Sequence, residues 1–243
     1  MISFIKYFFI LFAILIICVV ALSIYLVKFQ PNQLISQEIR QIIIQSPKIR
    51  ELVKINQAGD ARYEYLNDDN TPITVRVLNF SNSKPDKDLE AWITDMVSIT
   101  TGKSILVTQE IISDQPLKPQ YSDDDLVKLL EQINTTSSDS PYLDIIYLST
   151  YAEVPSHVGL VNHSNTIYMF KDVVRNLTSQ PAVQSRIEQS TLMHEWGHLL
   201  GLEHVDQEKC VMSGTVEVFE KRKVQNRNIP IEYCTDTLID IRN

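Results

Sequence analysis

The sequence predicts an α+β or α/β domain built on a mixed sheet, preceded by an N-terminal transmembrane helix. Three observations carry this. Tyr7–Val27 contains no charged residue and is bracketed by Lys6 and Lys28. It has the roughly 20 residues a helix needs to cross a bilayer core, and it lacks the polar face of a core helix. Beyond it, stretches of period-two apolar alternation exchange with stretches of helical period, and strands separated by helices pack as layers around a mixed sheet.

Taken in order, residues 1–30 form the anchor, 31–60 a helical stalk and 61–243 a single folded domain, the organisation that 243 residues allow. Within the stalk Ile35, Ile39, Ile42 and Ile43 recur at helical spacing, and Pro47 interrupts the run. Ile73, Val75 and Val77 alternate as a strand within Pro72–Phe80, and the breakers Ser81-Asn82-Ser83-Lys84-Pro85 follow. Asp88–Thr101 is an amphipathic helix closed by Gly102, and Ser104–Gln109 is strand-like. Ser122 caps a helix over Asp123–Ile133 whose acidic first turn suits the helix dipole. Leu143–Leu148 reads as a strand, apolar but for Asp144. Val158–Val161 and Thr166–Phe170 form a hairpin across Asn162–Asn165.

Charge and cysteines narrow the setting. Lys and Arg number 22 against 30 Asp and Glu, a net −8, which excludes the phosphate-neutralising surface of a nucleic-acid binder. The densest basic cluster, Glu220-Lys221-Arg222-Lys223, reads as a solvated face. Cys18 lies inside the apolar run, leaving Cys210 and Cys234. These are either a disulfide, as in a domain outside the cytosol, or two separate buried thiols. Ala21-Leu22-Ser23 has the small-x-small form of a cleavage site, but the apolar run continues past it. A retained single-pass anchor with an extracytoplasmic domain is therefore expected, secretion after cleavage being the lesser alternative.

The chemistry is concentrated in Met193-His194-Glu195-Trp196-Gly197-His198-Leu199-Leu200-Gly201-Leu202-Glu203-His204. His194 and His198, four apart on a helix, project from one face and can share a metal. Gly201 stands where a positive φ can end that helix and return His204 as a third nitrogen ligand. Three protein ligands leave a fourth position for water, the pattern of a catalytic zinc site, and Glu195 can reach that position without ligating. At average residue frequencies this eleven-residue pattern arises by chance in such a chain on the order of 10⁻⁵ of the time.

His194–His204 matches the metzincin zinc signature at every specified position, and the chain resembles that family. The resemblance implies a metzincin-like mixed sheet with an active-site helix. It makes Met212, in Cys210-Val211-Met212-Ser213-Gly214, the methionine turn beneath the metal. The Cys-x-Met-x-Gly wording is most similar to archaemetzincins, although a matrixin-like topology also fits. Archaemetzincins hold a second zinc with four cysteines. Here Val205 and Thr237 stand at two of those positions and only Cys210 and Cys234 survive, so one catalytic zinc is expected. By resemblance, residues 61–243 form the catalytic domain of a zinc endopeptidase, with Glu195 as general base and a protein or peptide substrate laid along Val158–His163. The alternative is a membrane-anchored zinc protein that binds peptides or partners without hydrolysis, against which Glu195 speaks.

Other features have simpler readings. His157 and His163, six apart, are ordinary histidines rather than a second metal pair, and Asp123-Asp124-Asp125 is the first turn of a helix rather than a calcium loop. Asn79, Asn134, Asn162 and Asn176 open Asn-x-Ser/Thr triplets, which matter only in a host that glycosylates.

Overall fold

The computed structural model describes residues 2–30, 33–67, 71–112, 116–133, 141–207, 209–214 and 229–242. The basic cluster at 220–223 and the triplet at Asn134 lie outside them. The chain divides into two compact units, Met1–Asn56 and Gln57–Asn243.

The first unit is helical. Helix α1 spans Ile2–Phe29, and its Ile5–Phe29 portion is long and apolar enough to be a membrane span or a signal sequence. Apolar side chains such as Phe9, Leu11 and Ile17 are exposed along it, as a surface made for an apolar medium would be. In the segment expected to be a stalk lie α2 (Leu34–Ile44) and α3 (Pro47–Val53), and the unit ends at Asn56. Pro47 opens α3 because the first turn of a helix needs no N–H from it.

In the second unit α4 (Arg62–Leu66) precedes a five-stranded sheet of order β2-β1-β3-β5-β4. The strands are β1 Ile73–Asn79, β2 Ile105–Ile111, β3 Tyr142–Leu148, β4 Gly159–His163 and β5 Thr166–Phe170. All neighbours are parallel except β4, which runs antiparallel to β5 and forms an edge. The helices are α5 (Leu89–Thr101), α6 (Asp123–Ile133), α7 (Lys171–Leu177), α8 (Pro181–Leu199) and α9 (Thr235–Arg242).

The two-residue period divides the core. Ile73, Val75, Val77, Leu143, Ile145, Ile167 and Met169 face Leu89, Ile93 and Val97 of α5 and Leu192, Trp196 and Leu199 of α8. Leu78, Ile146, Leu148, Tyr168 and Phe170 meet Leu126 and Leu129 of α6 and Val174 of α7 on the other face. Strands β3 and β5 are covered on both faces, which is why apolar residues occupy both; the charged exception in β3, Asp144, is buried and paired with Arg76 of β1 at 2.7 Å.

The helix ends follow their sequence signals. Gly102 closes α5 at φ 70°. Ser122 Oγ accepts from the Asp125 N–H and the Asp125 carboxylate accepts from the Ser122 N–H, each at 3.3 Å, a reciprocal cap that engages the acidic turn.

The structure differs from expectation at the hairpin, and it supplies a helix start that the sequence left unplaced. The hairpin turn is only Ser164-Asn165, because β4 continues through His163; a register shift between Leu160 and His163 keeps the exposed Asn162 within the strand. The active-site helix begins at Pro181, more than three turns before His194. Its polar early residues, among them Gln184, Ser185, Arg186 and Glu188, concealed it, for several of them are held by polar partners instead of apolar packing. Ser185 Oγ hydrogen-bonds to Asp86, and Arg186 Nε donates to the Ile229 carbonyl at 3.3 Å.

Glu188 is fully buried and ion-paired with Lys171, joining α8 to the start of α7. Burial raises its carboxyl above the usual carboxylate range, against the opposing pull of Lys171, and Asp86 adds a smaller upward push. Lys171→Met strands that carboxylate and costs about 3–5 kcal/mol of stability at neutral pH. A folded-state pKa above the unfolded value means stability falls as pH rises through it, and loss of Lys171 raises it further. The deficit is therefore largest at neutral pH and shrinks in acid solution, below the raised carboxyl pKa, where Glu188 takes up a proton. Urea unfolding of the full chain in detergent at both pH values measures it; a deficit independent of pH contradicts the assignment.

Candidate metal centre

Helix α8 carries His194, Glu195 and His198, and the turn after it carries His204. The turn is built by Gly201, at φ 82°. The Leu202 N–H reaches the Gly197 carbonyl at 2.9 Å and the Gly201 N–H the His198 carbonyl at 3.0 Å, the double bond of a Schellman ending. A side chain at Gly201 would be strained in this left-handed conformation.

The chain therefore returns with His204 beside the helix. The three Nε2 atoms form a triangle: His194 to His198 at 3.1 Å, His194 to His204 at 3.2 Å and His198 to His204 at 3.2 Å. The opposite ring nitrogens of two of them are occupied. His194 Nδ1 lies 2.7 Å from the Val211 carbonyl and His198 Nδ1 2.9 Å from the Leu202 carbonyl. A carbonyl only accepts, so in the neutral ring each Nδ1 carries the proton and each Nε2 presents a lone pair. Three nitrogens cannot satisfy one another pairwise as donor and acceptor, and converging lone pairs repel unless a cation lies among them.

Zinc fits this arrangement. Tetrahedral angles and Zn–N bonds of about 2.0–2.1 Å place ligand nitrogens roughly 3.3 Å apart. Among the described residues, these three are the one group of three or more potential ligands close enough to share an ion. Burial grades across the set: His194 is enclosed, His198 is half-buried and His204 is exposed. The ion would thus sit at the floor of an open cleft.

The methionine turn supports the helix from beneath. Met212 is fully buried, and a Cβ built on Gly197 would come within 2.3 Å of its Sδ, so Met212 occupies the space a side chain at 197 would need. The Val205 N–H donates to the Met212 carbonyl at 2.9 Å, tying the turn to the strand-like segment after His204. The Tyr233 hydroxyl donates to the Met193 carbonyl at 2.5 Å, and its burial pushes the phenol pKa upward. Cys210 and Cys234 form a disulfide. Thr237 Oγ1 lies 3.4 Å from Cys234 Sγ and donates to the Cys234 carbonyl at 2.8 Å, so the expected relic of a second zinc site is a closed disulfide and hydroxyl cluster.

A cavity of about 240 Å³ opens over the histidines, lined by Ala58, His157, Gly159, Leu160, Val161, Glu195, His198 and His204. Glu195 is 2% exposed, yet it belongs to this lining. The sequence-predicted set His194, Glu195, His198 and His204 is thus assembled in one place. His157 and His163 form no metal group among the described residues; His163 pairs with Asn165 at 2.8 Å, whereas His157 faces the cleft. Asp123 accepts the Tyr151 hydroxyl at 2.6 Å, and Lys118 pairs with Asp125, which engages the triple-aspartate turn without an ion.

Sequence reasoning missed Gly159, Ala58 and Tyr233. One signal was available for the first. The chain has only six glycines, and five of them, all but Gly102, lie within or against the histidine-bearing segment.

Comparison with known proteins agrees with this geometry. The sequence model of the matrixin family matches residues 156–231. No curated protein sequence matches the chain. Among solved structures, the chain is similar to the archaemetzincin of Methanopyrus kandleri, with a TM-score of 0.51 at 17% identity over 73% of this chain and 97% of that one. A zinc-dependent peptidase of Methanocorpusculum labreanum gives 0.49 at 14% identity, over 69% and 99% of the two chains. The archaemetzincin of Archaeoglobus fulgidus, complexed with malonate, gives 0.44 at 14%, over 68% and 97%. The first of these likenesses shows a metzincin-like fold.

Gly159 brings β4 against α8. A Cβ there would fall 2.4 Å from Thr191 Cγ2 and 2.8 Å from Glu195 Oε1. Thr191 is buried, and its β-branched side chain has few rotamers to retreat to. Gly159→Ala is expected to push the edge strand away from the helix and to cost about 1–3 kcal/mol. Urea unfolding of the full chain in detergent checks this; unchanged stability would show that β4 and α8 are not in contact here.

Proposed function

We propose that this metzincin-like zinc metallopeptidase is a membrane-anchored endopeptidase in which His194, His198 and His204 hold the zinc and Glu195 is the general base. The observation that supports it best is the convergence of three Nε2 atoms, two of them with lone pairs fixed by carbonyls, in a cleft that Glu195 also lines. The matrixin match, centred on these residues, supports peptide-bond hydrolysis as the reaction.

Zinc bound there supplies Lewis acidity for the scissile carbonyl and lowers the pKa of water toward neutrality. The protein's own part is to orient and to move protons. The Val211 and Leu202 carbonyls fix the rings of His194 and His198 through their Nδ1–H groups, which also raises the basicity of the ligating nitrogens. Glu195 accepts a proton from the attacking water and delivers it to the leaving amine. Strand β4, an edge of the sheet whose Gly159, Leu160 and Val161 line the cleft, offers backbone groups to an extended peptide. The peptide would lie over the metal with its scissile bond beside Glu195.

Helix α1 supplies the anchor, with the N-terminus inside and residues from about Lys28 onward outside. The Cys210–Cys234 disulfide supports this orientation, since such bonds persist outside the cytosol. Added protease is therefore expected to digest the folded unit on intact cells; its protection there, with digestion only after lysis, would refute this orientation.

The ligand and base roles separate by mutation. Glu195→Ala retains one equivalent of zinc and loses 10²–10⁴-fold or more in peptidase activity, the usual contribution of a proton-transfer group. His204→Ala loses activity through weakened zinc retention, because it removes one of three ligands. Elemental analysis of the full chain in detergent, alongside digestion of casein with and without a chelator, reads both. Full activity in Glu195→Ala would overturn the base assignment, and two zinc equivalents in the unmutated protein would overturn the single site.

A further inference from the structure

We propose that His157 is a substrate-binding residue, whose imidazole donates a hydrogen bond from Nε2–H to a carbonyl oxygen of the peptide held in the cleft. The inference rests on the peptidase reading above but concerns a residue outside the zinc signature.

His157 precedes strand β4 and shares the cavity lining with Glu195, His198 and His204. Its ring is held by stacking. Phe170, in the core, lies against Tyr151 with centroids 5.6 Å apart and planes at 19°, and Tyr151 lies against His157 at 6.3 Å and 22°. Tyr151 is fixed in turn by its hydroxyl bond to Asp123 at 2.6 Å, and the His157 N–H is tied to the Val154 carbonyl at 3.0 Å. The imidazole is thus the outer layer of a three-ring stack rooted in the core, and holding it costs a ligand no further side-chain ordering.

The two ring nitrogens differ. Nδ1 is enclosed and has no hydrogen-bond partner, whereas the half-buried ring lines the cleft with its other edge. A buried N–H without a partner is costlier than an under-used acceptor, so the proton belongs on Nε2. His194 and His198 have the opposite tautomer, set by carbonyls on their Nδ1. In the cleft, therefore, the Nε2 of His198 accepts, whereas the Nε2 of His157 donates. A peptide bound in extended form beside β4 brings backbone carbonyls into such a cleft, and these are acceptors only.

The test compares His157→Phe, which keeps an aromatic ring in the stack but removes the donor, with His157→Gln, whose side-chain amide places an N–H near the Nε2 position. Both are made in the full chain in detergent, and zinc content is measured for each. With a synthetic peptide that the unmutated protein cleaves, His157→Phe is expected to raise KM about 3–10-fold, the range of one neutral hydrogen bond, with kcat unchanged and one zinc retained. His157→Gln is expected to recover most of that loss. A ring that merely packs would give the reverse pattern, with Phe harmless and Gln damaging. That result, or a KM unchanged in both variants, overturns the proposal while leaving the peptidase reading intact. A second arm uses Glu195→Gln protein loaded with zinc on an array of peptides covering casein, where adding His157→Phe should weaken binding by the same factor. If the unmutated protein cleaves nothing but the array difference is found, the donor role stands and the hydrolytic reading falls.

Discussion

Everything at the centre of this molecule depends on three imidazole nitrogens held about 3 Å apart, at least two of them with their lone pairs turned inward. Neutral rings do not adopt that arrangement of their own accord, because the lone pairs repel and the rings lose water. The protein enforces it through the far side of the rings, where the Val211 and Leu202 carbonyls take the Nδ1 protons of His194 and His198. The fixing of the rings and their affinity for a cation are two aspects of the same constraint. It also explains the methionine turn: the segment that supplies the Val211 carbonyl is the one whose Met212 fills the space left by Gly197.

That constraint requires a rigid helix, and α8 is held by several neighbours. Trp196 donates to Thr100 on α5 at 2.9 Å and meets the Tyr65 ring at 4.9 Å. Ser190 donates to the Pro230 carbonyl at 2.5 Å, and Glu188 is paired with Lys171. The face bearing Glu188, Thr191 and Glu195 is buried although polar, and Gly159 lets β4 close over it. The helix therefore links the apolar core on one side to the cleft on the other, and its sequence is correspondingly neither a clean apolar stripe nor a polar surface helix.

This mixture decides what could be read in advance. The strands were legible because Ile73, Val75 and Val77 alternate and because Leu143–Leu148 is apolar but for Asp144, a buried residue whose partner Arg76 only the fold reveals. The ligands were legible because spacing alone puts His194 and His198 on one face, and Gly201 permits the turn that returns His204. The start of α8 at Pro181 was not legible, since Glu188 and Ser190 are buried by specific polar partners that only the tertiary structure supplies. Gly159 was hidden for a similar reason: its importance lies in a contact with Thr191, 32 positions later by number, that nothing local announces. His157 read as an ordinary histidine until the fold put it in the same cavity as Glu195.

The nature of the ligand set is the point on which this account stands or falls, and X-ray absorption at the zinc edge of the full-length protein reads it directly. Three imidazole nitrogens and one lighter oxygen or nitrogen ligand at about 2.0–2.1 Å, with no sulfur, is the predicted first shell. Sulfur scattering at about 2.3 Å would place the zinc on Cys210 and Cys234 instead, and would contradict the assignment of His194, His198 and His204.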